Sequence, residues 1–309
     1  MGGIRFVGIY PAVPTAFTAQ GELDLGAQAE IVDWLLSRRV HGIFGIGSQG
    51  ESFALSFEER SRLTRAYVHA VRGRVPVMIG TGAVTTAETV ALSRDAQANG
   101  ADALSLVTPY FIKLTQAEIA AHYRAVLRAV RIPVLAYTNP ARTGNNVAPE
   151  TAAALAREFA HFVGIKDSTG DLSQALTYAA VCPPGFAVFV GRDTLVFSAL
   201  VNALPGAVAA TASAAPELAV GIYDAVRSGD LETGRALQAR LAVLRNAFDL
   251  GSFPVVVKEA MEIRGLPVGP ARLPVSPLSP PQRETLRALL AEVGVGTGTA
   301  DLPAAARPA

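Results

Sequence analysis

Lysine is scarce in this sequence, so each lysine is a candidate for a role that arginine cannot fill. Of the 27 basic residues only Lys113, Lys166 and Lys258 are lysines, and the other 27 − 3 = 24 are arginines. Arginine keeps its proton in proteins, whereas a lysine can lose its proton when it is withdrawn from water. Because a neutral amine is a nucleophile, a lysine kept at a buried position is a candidate for covalent chemistry.

Cysteine and clustered histidine are also nearly absent. The single cysteine, Cys182, cannot form an internal disulfide, which fits a reducing compartment and predicts a cytoplasmic protein. The four histidines are scattered singly along the chain, which argues against a zinc or iron site held by the protein. We therefore expect no bound metal.

Strong charge and targeting segments are missing as well. The net charge is +1 and the pI about 7.9, so nothing favours nucleic-acid binding. Pro11 and Pro14 interrupt the N-terminal apolar stretch, which argues against a signal peptide. Residues 194–216 carry no charge and are long enough to cross a bilayer, but proline, glycine and polar residues interrupt them. A buried helix, a turn and a buried strand explain this stretch better than a membrane span.

Short apolar runs alternate with longer helical stretches. Runs rich in Val, Ile and Phe without polar alternation are typical of parallel strands buried on both faces. Ser-x-x-Glu and Thr-x-x-Glu pairs mark helix starts at Ser56, Thr85 and Thr115. The pattern predicts a (β/α)8 TIM barrel rather than an open doubly wound sheet, because no G-x-G-x-x-G follows the first strand. The predicted strands lie near 6–10, 42–46, 75–80, 102–107, 132–138, 162–166, 186–190 and 206–210.

More helical segments follow the eighth predicted strand. We assign residues 1–215 to the barrel and 216–293 to additional C-terminal helices that cap it within the same domain. The last of these helices, near 282–293, has Ser279 and Gln282 as its capping pair. Residues 294–309 are mostly Gly, Ala, Thr and Pro, a composition typical of disorder.

The sharpest chemical feature is residues 162–170, Phe-Val-Gly-Ile-Lys-Asp-Ser-Thr-Gly. The apolar run predicts a buried strand that ends at Lys166, and a polar loop follows it. In a barrel of this type the active site lies at the carboxyl ends of the strands. We therefore interpret Lys166 as an amine nucleophile that forms a Schiff base, with a strand-end lysine reaching for water as the alternative.

Two other strand ends carry polar residues. Gly-Ser-Gln-Gly-Glu at 47–51 predicts a tight loop whose backbone N–H groups can bind a carboxylate or phosphate, although Ser48 could simply cap a turn. Tyr137 ends the strand next to that of Lys166, and a phenol beside an amine can shuttle protons unless it is a core tyrosine. Arg142 follows in the next loop, where it could grip a substrate carboxylate or lie on the surface.

Together these motifs resemble the dihydrodipicolinate synthase / N-acetylneuraminate lyase family of pyruvate-dependent class I aldolases. The loop at 47–51 resembles the family's pyruvate-carboxylate loop, and Tyr137 with Pro140 its tyrosine motif. Gly-Ile-Lys-Asp-Ser-Thr-Gly-Asp at 164–171 resembles its Schiff-base lysine motif, and residues 254–258 and 272–274 also fit. The similarity extends from residue 6 to residue 293 and keeps the order and spacing of the motifs.

The resemblance implies a Schiff-base lyase that needs no metal or cofactor, because the protonated imine serves as the electron sink. It implies a small-molecule 2-oxo acid as substrate, no nucleic-acid or membrane partner, and a homo-oligomer, either a dimer or a tetramer. Lys166 would form the imine with pyruvate, and Tyr137 would move protons. The substrate-binding residues implied are Ser48 and Gln49 for the pyruvate carboxylate, Arg142 for the carboxylate of a second substrate, and Gly191 and Val208 at neighbouring strand ends.

The second substrate stays open. Arg142 favours 4-hydroxy-tetrahydrodipicolinate synthase, which joins pyruvate and aspartate semialdehyde in lysine biosynthesis. Three departures from the synthase pattern favour a related 2-oxo-acid aldolase or dehydratase of the sugar-acid or hydroxy-oxoglutarate type: Gln49 in the carboxylate loop, Thr138 after the tyrosine, and Phe111 where the synthases place a second relay tyrosine. Further alternatives are a barrel that binds phosphate or flavin at the loops after strands seven and eight, and a non-catalytic metabolite-binding protein.

Overall fold

Eight parallel strands form a barrel in the computed structural model, which describes residues 5–296. The hydrogen-bonded order is β1-β8-β7-β6-β5-β4-β3-β2. A parallel bridge between Ala12 and Phe44 joins the two ends of this order. The predicted (β/α)8 barrel is therefore confirmed. The strands are β1 (Gly8–Pro11), β2 (Ile43–Gly45), β3 (Val77–Gly80), β4 (Ala103–Val107), β5 (Val134–Thr138), β6 (Phe162–Asp167), β7 (Ala187–Val190) and β8 (Gly206–Ala209).

Helices connect successive strands and surround the barrel. The capping boxes predicted at Ser56 and Thr115 form, whereas Thr85 caps its helix without the return contact from Glu88. The helices are α1 (Leu25–Ser37), α2 (Phe57–Val71), α3 (Thr86–Ala98), α4 (Gln116–Ala129), α5 (Pro140–Thr143), α6 (Pro149–Glu158), α7 (Leu172–Val181), α8 (Val196–Val201), α9 (Pro216–Ser228), α10 (Leu231–Asn246), α11 (Val255–Ile263) and α12 (Pro280–Glu292). Short 3₁₀ turns lie at Ser52–Ala54, Asp193–Leu195, Thr211–Ser213 and Ala247–Leu250.

Apolar residues pack on both faces of the strands. One cluster, which includes Tyr10, Phe44 and Phe189, fills the barrel. A second and larger cluster lies between the strands and the helices. Burying a Val, Leu or Ile side chain stabilises the fold by about 1.5–3 kcal/mol, so these two layers account for the uninterrupted apolar runs of the strands.

The uncharged stretch 194–216 folds as the sequence predicted, with α8, a turn and β8. Within residues 5–296 no helix is long and apolar enough to cross a membrane. This stretch lies instead within the barrel wall.

The C-terminal helices differ slightly from the predicted division. Helix α9 contacts β1 and α8, so it completes the outer ring of the barrel, and the additional helices are α10–α12. The predicted capping pair at Ser279 and Gln282 forms. Val295 is buried and donates its N–H to the Leu290 carbonyl oxygen (2.9 Å), so the predicted disordered tail begins too early. From residue 297 onward that prediction lies outside the described residues.

Candidate active site

A cavity of about 340 Å³ opens at the carboxyl ends of the strands. The parallel strands of a barrel all end at this face, which brings together residues that are far apart in sequence. All seven residues predicted from the sequence line the cavity, namely Ser48, Gln49, Tyr137, Arg142, Lys166, Gly191 and Val208. Further lining residues include Asn139, Ser168, Asp193, Arg245 and Phe253.

Lys166 sits near the end of β6 and is only 5% exposed. Its Nζ lies 4.2 Å from the ring centroid of Tyr137 and 4.6 Å from that of Phe44. Burial lowers the pKa of Lys166, although the charges of Tyr137 and Asp193 oppose this shift. The lowered pKa raises the fraction of neutral amine, which is the form that attacks a carbonyl carbon.

Tyr137 pairs with Lys166 in the register of β5 and β6, and its hydroxyl is surrounded by polar groups. The side-chain amide of Asn139 donates a hydrogen bond to this hydroxyl (2.9 Å), and the hydroxyls of Ser48 and Ser168 also hydrogen bond with it. Burial alone would raise the pKa of Tyr137, but the charge of Lys166 and these hydrogen bonds outweigh it and lower the pKa. The phenol and the amine can therefore exchange a proton within the site.

Sequence reasoning missed Asn139 and Ser168, although a signal for both was available. Asn139 follows Tyr137 by two positions, and Ser168 follows Lys166 by two positions. Because side chains alternate across a strand, residues two positions apart share a face. Extending the strand pattern past each motif residue would have placed both polar side chains beside the predicted pair.

Within residues 5–296 the loop at 47–51 has several free backbone N–H groups. Among residues 5–296 no acceptor is bonded to the N–H of Ser48 or Gln49. Ile46 and Glu51, which flank this stretch, adopt left-handed φ values of 56° and 54°. A β-branched residue such as Ile46 rarely adopts this conformation, and such residues carry strain of about 1–3 kcal/mol each. The surrounding structure must therefore hold the loop in place.

A buried ion pair supplies that support. Lys258 Nζ donates to Glu51 Oε1 (2.8 Å), to the Thr15 carbonyl oxygen (2.9 Å) and to the Pro270 carbonyl oxygen (2.7 Å). The other carboxylate oxygen of Glu51 accepts from the Arg272 backbone N–H (2.8 Å). The second buried lysine of the chain therefore has a structural role and does not line the cavity around Lys166.

Gln49 also contacts the C-terminal region of the chain, as Glu51 does. Its side-chain amide is buried and donates to the carbonyl oxygen of Pro254 (3.2 Å). Within residues 5–296 its backbone N–H has no bonded acceptor, so any carboxylate bound here would be held by the backbone rather than by this Nε2.

Asp193 and Arg245 also line the cavity, and sequence reasoning gave neither a role. Asp193 Oδ1 accepts hydrogen bonds from the Thr211 backbone N–H (2.9 Å) and hydroxyl (2.6 Å), which joins the loops after β7 and β8. Its other oxygen, Oδ2, lies 3.5 Å from Arg245 Nε. A buried carboxylate between these loops disfavours a phosphate site there, because like charges repel. Arg245 belongs to α10, where no motif marks it.

Arg142 lies on α5, a short helix that the sequence did not predict, at the mouth of the cavity. Its guanidinium carbon lies 3.8 Å from the ring centroid of Phe253, which comes from the C-terminal region. A guanidinium stacked on a ring keeps its edges available for a planar carboxylate.

Gly191 is needed because β7 passes very close to β6. A Cβ placed there would lie 2.0 Å from Ser168 Oγ and 3.0 Å from Lys166 Cε. We expect Gly191→Ala to displace both side chains and to slow imine formation with pyruvate roughly tenfold to a hundredfold. The rate can be measured by borohydride trapping at timed intervals.

Gly26→Ala is the matched control for that experiment. A Cβ at Gly26, within α1, would meet Asp24 Oδ1 at an ordinary 3.5 Å. Alanine should stabilise this helix by about 0.5–1 kcal/mol and leave trapping unchanged. Equal trapping rates for Gly191→Ala and the unmodified protein would show that the close packing around Lys166 does not matter.

Within residues 5–296 no group of three or more His, Cys, Asp or Glu side chains is arranged to hold a metal ion. The polar groups of the cavity are instead an amine, a phenol, hydroxyls, amides, guanidiniums and the carboxylate of Asp193. This set suits proton transfer and the binding of carboxylates.

Comparisons with known proteins identify the family of this chain. The sequence matches the model of the dihydrodipicolinate synthetase family over residues 5–293. The 4-hydroxy-tetrahydrodipicolinate synthase of Methanopyrus kandleri is 37% identical and aligns over 95% of this chain and 98% of its own length. The probable 2-dehydro-3-deoxy-D-pentonate aldolase YjhH of Escherichia coli is 36% identical over 94% of this chain and 98% of its own length.

A solved structure gives the same result for the fold. YagE, a prophage protein of the dihydrodipicolinic acid synthase family from Escherichia coli K12, was crystallised in complex with pyruvate. It is 33% identical, covers 95% of this chain and 100% of its own, and superimposes with a TM-score of 0.91. The family model, the curated relatives and the fold all lead to one conclusion. This chain belongs to the dihydrodipicolinate synthetase family of aldolases and lyases.

Proposed function

We propose that this protein makes or breaks a carbon–carbon bond at pyruvate, or eliminates water from a 2-oxo acid, through a Schiff base at Lys166. The observation that carries the proposal is the buried amine of Lys166, 4.2 Å from the ring of Tyr137 in a cavity that also holds the free N–H groups of the 47–51 loop. The pyruvate bound to YagE supports pyruvate as the substrate.

The proposed reaction begins with attack of the neutral Lys166 amine on carbon 2 of pyruvate. The N–H groups of Ser48 and Gln49 bind the carboxylate. Tyr137 protonates the departing hydroxyl oxygen, and water leaves as the protonated imine forms. The Tyr137 phenolate then removes a proton from carbon 3, which gives an enamine. The enamine attacks the aldehyde carbon of the second substrate, and Tyr137 gives the proton to the aldehyde oxygen. Hydrolysis of the product imine then restores the free amine.

The imine itself accepts the electron pair from carbon 3, so the proposal requires neither a metal nor a cofactor. Activity should therefore survive treatment with a strong chelator followed by dialysis. Loss of activity on chelation, with recovery on adding a divalent cation, would contradict this part of the proposal.

Synthesis of 4-hydroxy-tetrahydrodipicolinate is our first choice for the specific reaction, which would place the enzyme in lysine biosynthesis. The name of the Methanopyrus relative and the position of Arg142 at the cavity mouth support it. A 2-oxo-acid aldolase or dehydratase is the second choice, supported by the name of the Escherichia relative and by Phe111, which has no hydroxyl where the synthases place a second relay tyrosine. Turnover of pyruvate with aspartate semialdehyde, compared with cleavage of 2-oxo-3-deoxy sugar acids, separates these two choices.

Trapping with pyruvate and borohydride tests the mechanism itself. One pyruvate unit should be added per chain, and the rate should rise with pH because only the neutral amine reacts. The midpoint of that rise should lie below the usual lysine pKa of 10.5, since burial lowers the pKa of Lys166. The absence of an adduct would exclude the Schiff base, and a midpoint at or above 10.5 would contradict the effect of burial.

We also propose a homo-oligomer. Phe111 is 95% exposed, Ile112 beside it is 50% exposed, and Phe111 is held at a left-handed φ of 77°. A second copy of the chain would remove this apolar pair from water. Sedimentation showing a monomer at micromolar concentration would exclude the homo-oligomer.

A cytoplasmic location is proposed from the lone Cys182 and can be tested by cell fractionation.

A further inference from the structure

The outer part of the cavity is cationic. Besides Lys166, its lining includes Arg142, Arg192 and Arg245. Among the described residues that line this cavity, one carries a carboxylate, Asp193. That carboxylate already accepts a hydrogen bond from Thr211 and lies beside Arg245. Asp249 adds a carboxylate beside the mouth, so three guanidiniums face two carboxylates there and one positive charge is in surplus.

A second cavity of about 330 Å³ adjoins the first. The two cavities share four lining residues, Arg142, Arg245, Phe248 and Phe253. The two arginines therefore stand where the cavities meet. A substrate that extends away from Lys166 would reach this junction with its far end.

Each of these arginines is stacked on a phenyl ring. The guanidinium carbon of Arg142 lies 3.8 Å from the ring centroid of Phe253, and that of Arg245 lies 4.5 Å from that of Phe248. Arg245 contacts Asp193 through Nε, at 3.5 Å, and among residues 5–296 no acceptor is hydrogen bonded to its two Nη groups. Stacking fixes the plane of a guanidinium and leaves its N–H edge free to bind an anion.

We propose that Arg245, together with Arg142, binds a carboxylate on the aldehyde part of the substrate. The substrate class is then an acid with two carboxylates, one on each side of the bond that is formed or broken. The distal carboxylate stays unchanged through the reaction and serves only for recognition. Arg245 is thus a specificity-determining residue contributed by the C-terminal helices. This inference rests on the function proposed above.

The test compares Arg245→Gln with the unmodified enzyme on matched aldehydes. Pyruvate is paired with aldehydes that carry a carboxylate (aspartate semialdehyde, succinic semialdehyde, glyoxylate) and with neutral ones (glyceraldehyde, propionaldehyde). We expect the unmodified enzyme to prefer the carboxylated set. In Arg245→Gln, kcat/KM should fall about tenfold or more for that set and less than about twofold for the neutral set. The KM for pyruvate should stay constant, and Arg245→Lys should restore part of the loss.

Arg235→Gln is the matched control, because Arg235 lies on the same helix and stacks on Phe197 at 6.0 Å without lining either cavity. A preference for neutral aldehydes, or equal losses on both sets, would overturn the proposal. Calorimetry of succinate and butyrate on enzyme blocked by reduced pyruvate gives a second readout. Succinate should bind more tightly, and its advantage should vanish in Arg245→Gln; equal affinities would overturn the proposal. Failure of pyruvate trapping would instead refute the Schiff-base function.

Discussion

Lys166→Arg is expected to abolish pyruvate trapping and to lower turnover roughly a thousandfold or more. Arginine keeps its proton, so it offers no lone pair for attack on carbon 2. The positive charge beside Tyr137 is retained, which separates loss of the nucleophile from loss of the charge. Intact-mass measurement after borohydride reduction is the direct readout, with turnover as the second.

The scarcity of lysine makes the control for this experiment simple. Lys113→Arg removes an exposed lysine and should leave both trapping and turnover unchanged. Peptide mapping of the unmodified protein should place the adduct on Lys166. An adduct that persists in Lys166→Arg, or that maps to Lys113 or Lys258, would show that the imine forms elsewhere.

Lys258→Ala is expected to destabilise the protein by about 3–5 kcal/mol, because it leaves the carboxylate of Glu51 buried without its cation. The side chain of Glu51 is 0% exposed and that of Lys258 is 2% exposed. Loss of the pair should also release the strained 47–51 loop and raise the KM for pyruvate. Urea unfolding measures the first effect and steady-state kinetics the second.

Two comparison variants test whether the loss of stability in Lys258→Ala comes from breaking the buried ion pair. Glu51→Gln combined with Lys258→Met removes both charges and should recover part of the lost stability. Arg124→Ala breaks a surface pair, Arg124–Glu158, whose side chains are each 36% exposed, and should cost about 1 kcal/mol or less. If Lys258→Ala proved no more destabilising than Arg124→Ala, the buried pair would not be what holds the loop.

Most of the barrel could be predicted from local pattern. A strand buried on both faces is apolar at most positions, so all eight apolar runs coincide with strands to within about two residues. Helix starts at Ser56 and Thr115 were predictable because a capping box is a contact within four residues. The ends of the helices were harder to predict. Helix α10 ends at Asn246 and a 3₁₀ turn follows, with no proline or glycine at that point to mark the change.

The site residues also fall into two groups, those that local sequence pattern predicted and those that it did not. Motifs at strand ends identified Lys166, Tyr137 and the 47–51 loop, because barrel topology assigns every strand end to one face. Arg245 and Phe253 reach the cavity from the C-terminal region, and no local sequence pattern predicts that this region folds back onto the barrel.

By itself the sequence determined the barrel, the strand-end polar residues and the small number of lysines that could act as nucleophiles. Only the tertiary structure decided between the two buried lysines. Burial lowers the pKa of both lysines, but Lys258 donates to Glu51, a residue 207 positions away, whereas Lys166 lies against aromatic rings and lines the cavity. The physical reason is that an amine's reactivity depends on the dielectric and the charges around it. Those surroundings come from distant parts of the chain, where periodicity and spacing carry no information.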